Sequence, residues 1–139
     1  MPASEPTPPD PAWPRYAPGR KLPPYRYGAD LHNFAYWWEA HECWEGLWQL
    51  TDKRGEQALF LQGLIQVSAG LLKAHLGSQA GTKVLLGEAL RKLEGVAAAH
   101  PRYMGLDLNA YAARVRACLD AAQQALPLPA ERIPMIRLE

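Results

Sequence analysis

The sequence predicts an all-α protein: a four-helix core of two helical hairpins, with a proline-rich extended N-terminal arm and an extended C-terminal tail. Three observations predict it. Nine of the 13 prolines fall within residues 1–24, and Pro127, Pro129 and Pro134 mark the other end. Proline fixes φ and withholds an amide donor, so regular helix is confined to the stretch between these groups. Within that stretch apolar residues recur at helical spacing, and no alternating run of useful length competes. The expected division is an arm over residues 1–28, a helical domain over 29–126 and a tail over 127–139.

The arm has no acid between Asp10 and Asp30, while Arg15, Arg20, Lys21 and Arg26 alternate with Trp13, Tyr16, Tyr25 and Tyr27. Basic residues interleaved with aromatics can bind single-stranded nucleic acid or an acidic partner. The preferred reading is that these aromatics lie along the bundle and cover its first helix. Asp30 is an acceptable N-cap for that helix, which is expected to run to about Leu50. The second helix is expected from Asp52 or Lys53 to Gly77, a residue suited to a left-handed C′ position. It is apolar on more than one side and therefore central. Leu61, Leu64, Ile65, Leu71 and Leu72 form its wide face, and Gly63, Val67, Gly70 and Ala74 form a small-residue stripe for close approach. Gln62 and Gln66 lie on a third, polar stripe with Lys73 and need partners if buried, since an unpaired buried amide costs about 1–3 kcal/mol.

Ser78 can cap the third helix, whose stripe is Leu85, Leu86, Ala89, Leu90, Leu93, Val96 and Ala97. Pro101 then separates the two hairpins. Asp107 can cap the fourth helix, with Leu108, Tyr111, Ala112, Val115, Cys118, Leu119 and Ala122 on one face.

The first helix carries the most concentrated chemistry. At 100° per residue, Phe34, Trp37, His41, Trp44, Glu45 and Trp48 share one face, with Glu42 at its edge and Glu39 nearly opposite. The expectation is that Gln62 and Gln66 of the second helix face this cluster. The run Asn33, Glu39, Ala40, His41, Glu42, Trp44, Glu45 and Trp48, followed by Leu61, Gln62, Gly63, Leu64, Ile65 and Gln66, resembles the signature of the domain of unknown function 309 family. Gly105, Leu106 and Asp107 are similar to that family's later pattern. The resemblance spans roughly residues 30–126 and implies a compact helical fold. It implies no reaction. His32 departs from the family pattern, which usually has an apolar aromatic there, and the arm lies outside the shared part.

Two functional readings follow. One is a metal or acid–base site, hydrolase-like, built from His41, Glu42 and Glu45 with Gln62 and Gln66 opposite. His41 and Glu45 have the i, i+4 spacing of a zincin helix, but Glu stands where that motif needs His. A di-iron bundle needs Glu-x-x-His on two helices, and no second helix supplies one. The favoured reading is structural: His41, Glu45, Gln62 and Gln66 form a polar network that pins the first two helices, in a non-enzymatic binding or scaffold protein. Cofactors and metal are not expected.

Composition narrows the partners. Fifteen basic residues against 14 acidic ones leave a net charge of +1, which gives no field for steering onto nucleic acid or anionic membrane. The uncharged run 58–72 is too short to span a bilayer. Cys43 and Cys118 sit in apolar helical patterns, so a reduced, cytoplasmic protein is expected. A homodimer is expected because four short helices cannot cover this many large aromatics, with an unidentified protein or small molecule as the further partner.

Overall fold

The computed structural model describes residues 24–128 and 133–138. They form five helices and one minimal hairpin. The helices are α1 (Pro24–Asn33), α2 (Trp37–Trp48), α3 (Glu56–His75), α4 (Gln79–Ala99) and α5 (Leu108–Gln123), with β1 (Arg102–Tyr103) and β2 (Leu106–Asp107) between the last two helices. The helices pack mainly against their neighbours in sequence, with α3 and α4 the most extensive pair.

The single first helix that the sequence predicts is two helices. Proline is well tolerated in a first turn, and Pro24 opens α1. The expected arm boundary at residue 28 therefore falls inside a helix, and Tyr25 lies in the core rather than on an extended arm. Trp13, Tyr16, Arg15, Arg20 and Lys21 lie outside the described residues. Helix α1 ends where Ala35 adopts a left-handed φ of 67°. The Tyr36 amide donates to the Leu31 carbonyl and the Ala35 amide to His32, the bond pair of a Schellman turn. Tertiary packing makes the break necessary. The Trp44 indole donates to the Tyr25 carbonyl at 3.1 Å, whereas 19 residues of continuous helix would hold them about 28 Å apart. Folding back also sets Gly28 on the indole: a Cβ there would lie 2.2 Å from Trp44 Nε1.

The second expected start also moves. Asp52 does not begin a helix; its carboxylate accepts from the Arg54 amide at 3.0 Å in a turn, and α3 starts at Glu56. Asp30, expected as an N-cap, lies inside α1. The remaining caps and turns match the sequence reading. Gly77 is left-handed at φ 84°, Ser78 accepts from the Gly81 amide to cap α4, and Asp107 accepts from the Ala110 amide to cap α5. Met104 and Gly105, at φ 51° and 80°, make the turn of the hairpin, with Arg102 opposite Asp107 and Tyr103 opposite Leu106.

Helix α3 is the central element, as its breadth of apolar residues predicts. Phe60, Leu61, Leu64, Val67 and Leu71 are almost completely buried. The small-residue stripe lets α4 settle closely: a Cβ on Gly63 would meet Leu93 at 2.7 Å, and one on Gly70 would meet Leu86 at 2.9 Å. No helix among the described residues is long and apolar enough to cross a membrane.

Candidate functional site

The buried stripe of α2 is Trp37, Ala40, Trp44 and Leu47. Its centre lies toward Ala40 and Leu47, so His41 and Trp48 flank it and Glu45 stands at the rim. Phe34 is outside α2 and 75% exposed, which removes it from the face that a continuous helix would give. His41 Nε2 lies 3.4 Å from Glu45 Oε2, with the Trp38 ring stacked on the imidazole at 5.4 Å between centroids. His41 Nδ1 is buried and has no hydrogen-bond partner among the described residues. Glu42 is exposed. Trp48 is half-buried beneath the ammonium of Lys53, which sits 4.7 Å from the ring centroid.

The expected partnership with α3 does not form. Gln66 turns toward α4, where its amide nitrogen donates to Glu88 at 2.9 Å and its oxygen accepts from Lys92 at 2.8 Å. Burial pulls the Lys92 ammonium below the usual lysine range, and Glu88 partly offsets this. Gln62 is half-buried and, among the described residues, makes no hydrogen bond to His41, Glu42 or Glu45. The register of α3 explains the miss: its deepest contacts bring α4, not α2, alongside the glutamine stripe. His100, which has no acid at ligand spacing in the sequence, meets Glu56 across the bundle at 2.8 Å. Among the described residues no three metal-capable side chains gather in one place.

The buried polar centre is elsewhere, on α1. His32 is fully buried in the stripe Tyr25, Gly28, Ala29 and His32. Its Nε2 lies 2.8 Å from the Pro134 carbonyl oxygen and its Nδ1 2.7 Å from the Ser68 hydroxyl. A carbonyl only accepts, so Nε2 carries the proton; Nδ1 is then left to accept from Ser68. Burial pulls the imidazole pKa down to about 4, against the raising effect of the Pro134 bond. The next residue, Asn33, reads the same C-terminal segment. Its amide nitrogen donates to the Ile136 carbonyl at 2.7 Å, and its oxygen accepts from the Ile136 amide at 2.7 Å. Of the candidate cluster, Asn33 alone joins this arrangement. The signal in the sequence was the spacing 25, 28, 29, 32, a helical stripe obscured by the prolines before it and the glycine within it.

Cys43 is half-buried on α2. Burial pushes its thiol pKa up, and the thiol lies 3.2 Å from the Pro24 carbonyl as a donor. Cys43 and Cys118 are not joined by a disulfide. Met104 anchors the hairpin: its carbonyl accepts from Tyr25 at 2.9 Å, and its sulfur lies 3.5 Å from the Gln57 amide.

The comparison with curated proteins returns no match. A family model described as Domain of unknown function (DUF309) matches residues 25–85, which hold α1, α2, α3 and the start of α4. Over those residues the chain is similar to the DUF309 family, and His32, Asn33, His41 and Ser68 all lie within the matched part.

Proposed function

We propose that the chain is a non-enzymatic helical binding protein that self-associates through the corner between α1 and α2. The observation that carries this reading is the aromatic surface left at that corner. Phe34 is 75% exposed, Tyr36 57% and Trp38 54%, all within five positions. Large aromatics clustered outside a core are unusual for a monomer surface and are characteristic of contact faces. A second copy is the occupant proposed, because an isologous contact would bury two such corners at once.

Light scattering on the full chain at tens of micromolar, on the order of weak-dimer affinities, tests this. A dimer is expected, and Phe34→Ser with Trp38→Ser should yield a monomer with unchanged helicity. A monomeric parent protein would overturn the reading.

One observation favours a second reading, an acid–base or metal-dependent enzyme centred on His41, Glu42 and Glu45. The buried, unpartnered Nδ1 of His41 is a position that a ligand or a substrate hydroxyl could satisfy. Metal content of the natively purified protein distinguishes the two: stoichiometric metal lost on His41→Ala would support the enzyme.

A further inference from the structure

Residues 133–138 lie on the helical body without helix or strand pairing. Pro134 and Ile136 are buried, Met135 is half-buried and Arg137 is exposed. The two most deeply buried residues are two apart, as in an extended chain, and Ile133 and Leu138 also pack against the core. Every polar contact described between α1 and this segment goes to its main chain. His32 donates to the carbonyl of Pro134, and Asn33 both donates to and accepts from the backbone of Ile136. Asn33 therefore pairs with one residue of the tail as a neighbouring β-strand would, exchanging one donor and one acceptor. Ser68, buried on α3, holds the imidazole ring from behind.

Recognition of this kind does not depend on the tail's polar side chains. It asks for an extended backbone with an imino or small residue at one position and a branched aliphatic residue two positions later. The same division appears in strand-addition recognition, where main-chain bonds supply affinity and alternate pockets supply specificity. The recognising residues lie inside the family-matched segment 25–85, and the segment they hold lies outside it.

We propose that His32, Asn33 and Ser68 form a binding seat for an extended peptide main chain. The C-terminal segment occupies it as a built-in, displaceable ligand, and an extended partner segment with the pattern Pro-x-Ile takes its place. The proposal does not depend on the aromatic corner. The tail has the advantage of its tether, which sets an effective concentration on the order of millimolar. A partner peptide must overcome that advantage, so the tail acts as a threshold on binding.

The test uses the full chain and a fluorescein-labelled peptide with the sequence Ile-Pro-Met-Ile-Arg-Leu. Ile136→Glu weakens the tail's own hold while leaving the seat intact. Fluorescence anisotropy should show the peptide binding this variant roughly ten-fold or more tightly than the parent protein, as expected once the tethered competitor is removed. Adding Asn33→Ala to Ile136→Glu should abolish that binding. Equal affinity for the parent and Ile136→Glu, or binding that survives Asn33→Ala, overturns the proposal. Should Ile136→Glu lose its helicity, hydrogen exchange of the parent protein gives the answer instead. Unlabelled peptide at millimolar concentration, matched to the tether's advantage, should speed exchange of the Ile136 amide, which Asn33 protects, without changing the amides of α3. An unchanged Ile136 exchange rate overturns it equally.

Discussion

Two histidines nine positions apart experience opposite surroundings. His41 sits on the rim of α2, a quarter exposed, beside a carboxylate that is nearly half exposed. His32 sits at the end of α1 with no exposure and with both ring nitrogens in short contacts to a hydroxyl and a carbonyl. The familiar pattern, histidine beside glutamates among tryptophans, belongs to the first. The arrangement that joins three separate stretches of chain belongs to the second. A charged residue pattern marks where chemistry is concentrated in the sequence. It does not mark where polar groups are buried, which is decided by how helices fold back on one another.

The largest expected effect follows directly. His32→Ala removes a buried ring and leaves the Ser68 hydroxyl and the Pro134 carbonyl unpaired, at a cost of about 4 kcal/mol from cavity and lost hydrogen bonds together. His41→Ala removes a half-exposed i, i+4 contact and should cost about 0.5 kcal/mol or less. Urea unfolding of the two variants measures the contrast. Equal losses would mean that the rim contact of His41 counts as much as the buried bonds of His32.

Stability against pH sharpens the same contrast. The folded pKa of His32, about 4, lies below the ordinary 6.5. The unfolded chain therefore binds the extra proton first, and stability rises with pH across the interval between the two values. The contribution is fully present above about pH 6.5 and is lost progressively as pH falls toward 4, a total of about 3 kcal/mol at 1.36 kcal/mol per unit. His32→Gln should flatten this part of the profile. A profile unchanged by His32→Gln would show that the buried imidazole does not titrate as its surroundings require.

The limits of the sequence reading have the same origin. Ser78, Asp107 and Gly77 were legible because they act within a few residues of themselves, whereas Asp30 and Asp52, read in the same way, do not start helices. The breadth of α3 was legible because burial on several sides leaves apolar residues on several sides. The break at residues 34–36 was not, since no glycine or proline marks it. It is imposed by α1 packing Gly28 against Trp44, a contact set by the tertiary fold. The direction of Gln66 was equally hidden, because both α2 and α4 flank α3 and only packing selects between them. Asn33 was recognisable as part of a pattern, but its partner, Ile136, lies 103 positions away in a segment whose prolines mark only that it is extended.

A smaller effect separates the two residues that hold the tail. Asn33→Ala removes both bonds to Ile136 but leaves a half-buried site open to water, so about 2 kcal/mol is expected, less than for His32. Asn33→Asp keeps the acceptor for the Ile136 amide and sets a carboxylate against the Ile136 carbonyl, and should recover little of that loss. Thermal melts of the two variants check the order. Full recovery by aspartate would mean that only the acceptor half of the pair matters.

The smallest effect concerns the turn that presents His32 and Asn33. Three helices end in the same pair of bonds: α1 at Ala35, α3 at Gly77 and α5 at Ala125. All three turn residues are left-handed, at φ 67°, 84° and 57°. Glycine adopts this conformation without steric cost, whereas alanine sets its Cβ against the following carbonyl at a cost of about 1–2 kcal/mol. Part of that gain is returned because glycine adds freedom to the unfolded chain, so Ala35→Gly should stabilise by about 1 kcal/mol or slightly less. Ala125→Gly is the matched control, since it relieves the same strain far from His32 in the sequence and, like Ala35, its residue is exposed. Equal stabilisation at both, read from urea midpoints, would show that the α1 turn is an ordinary helix end carrying ordinary strain. Stabilisation at Ala125 alone would show that the Ala35 methyl group contributes to holding the corner from which His32 and Asn33 reach the tail.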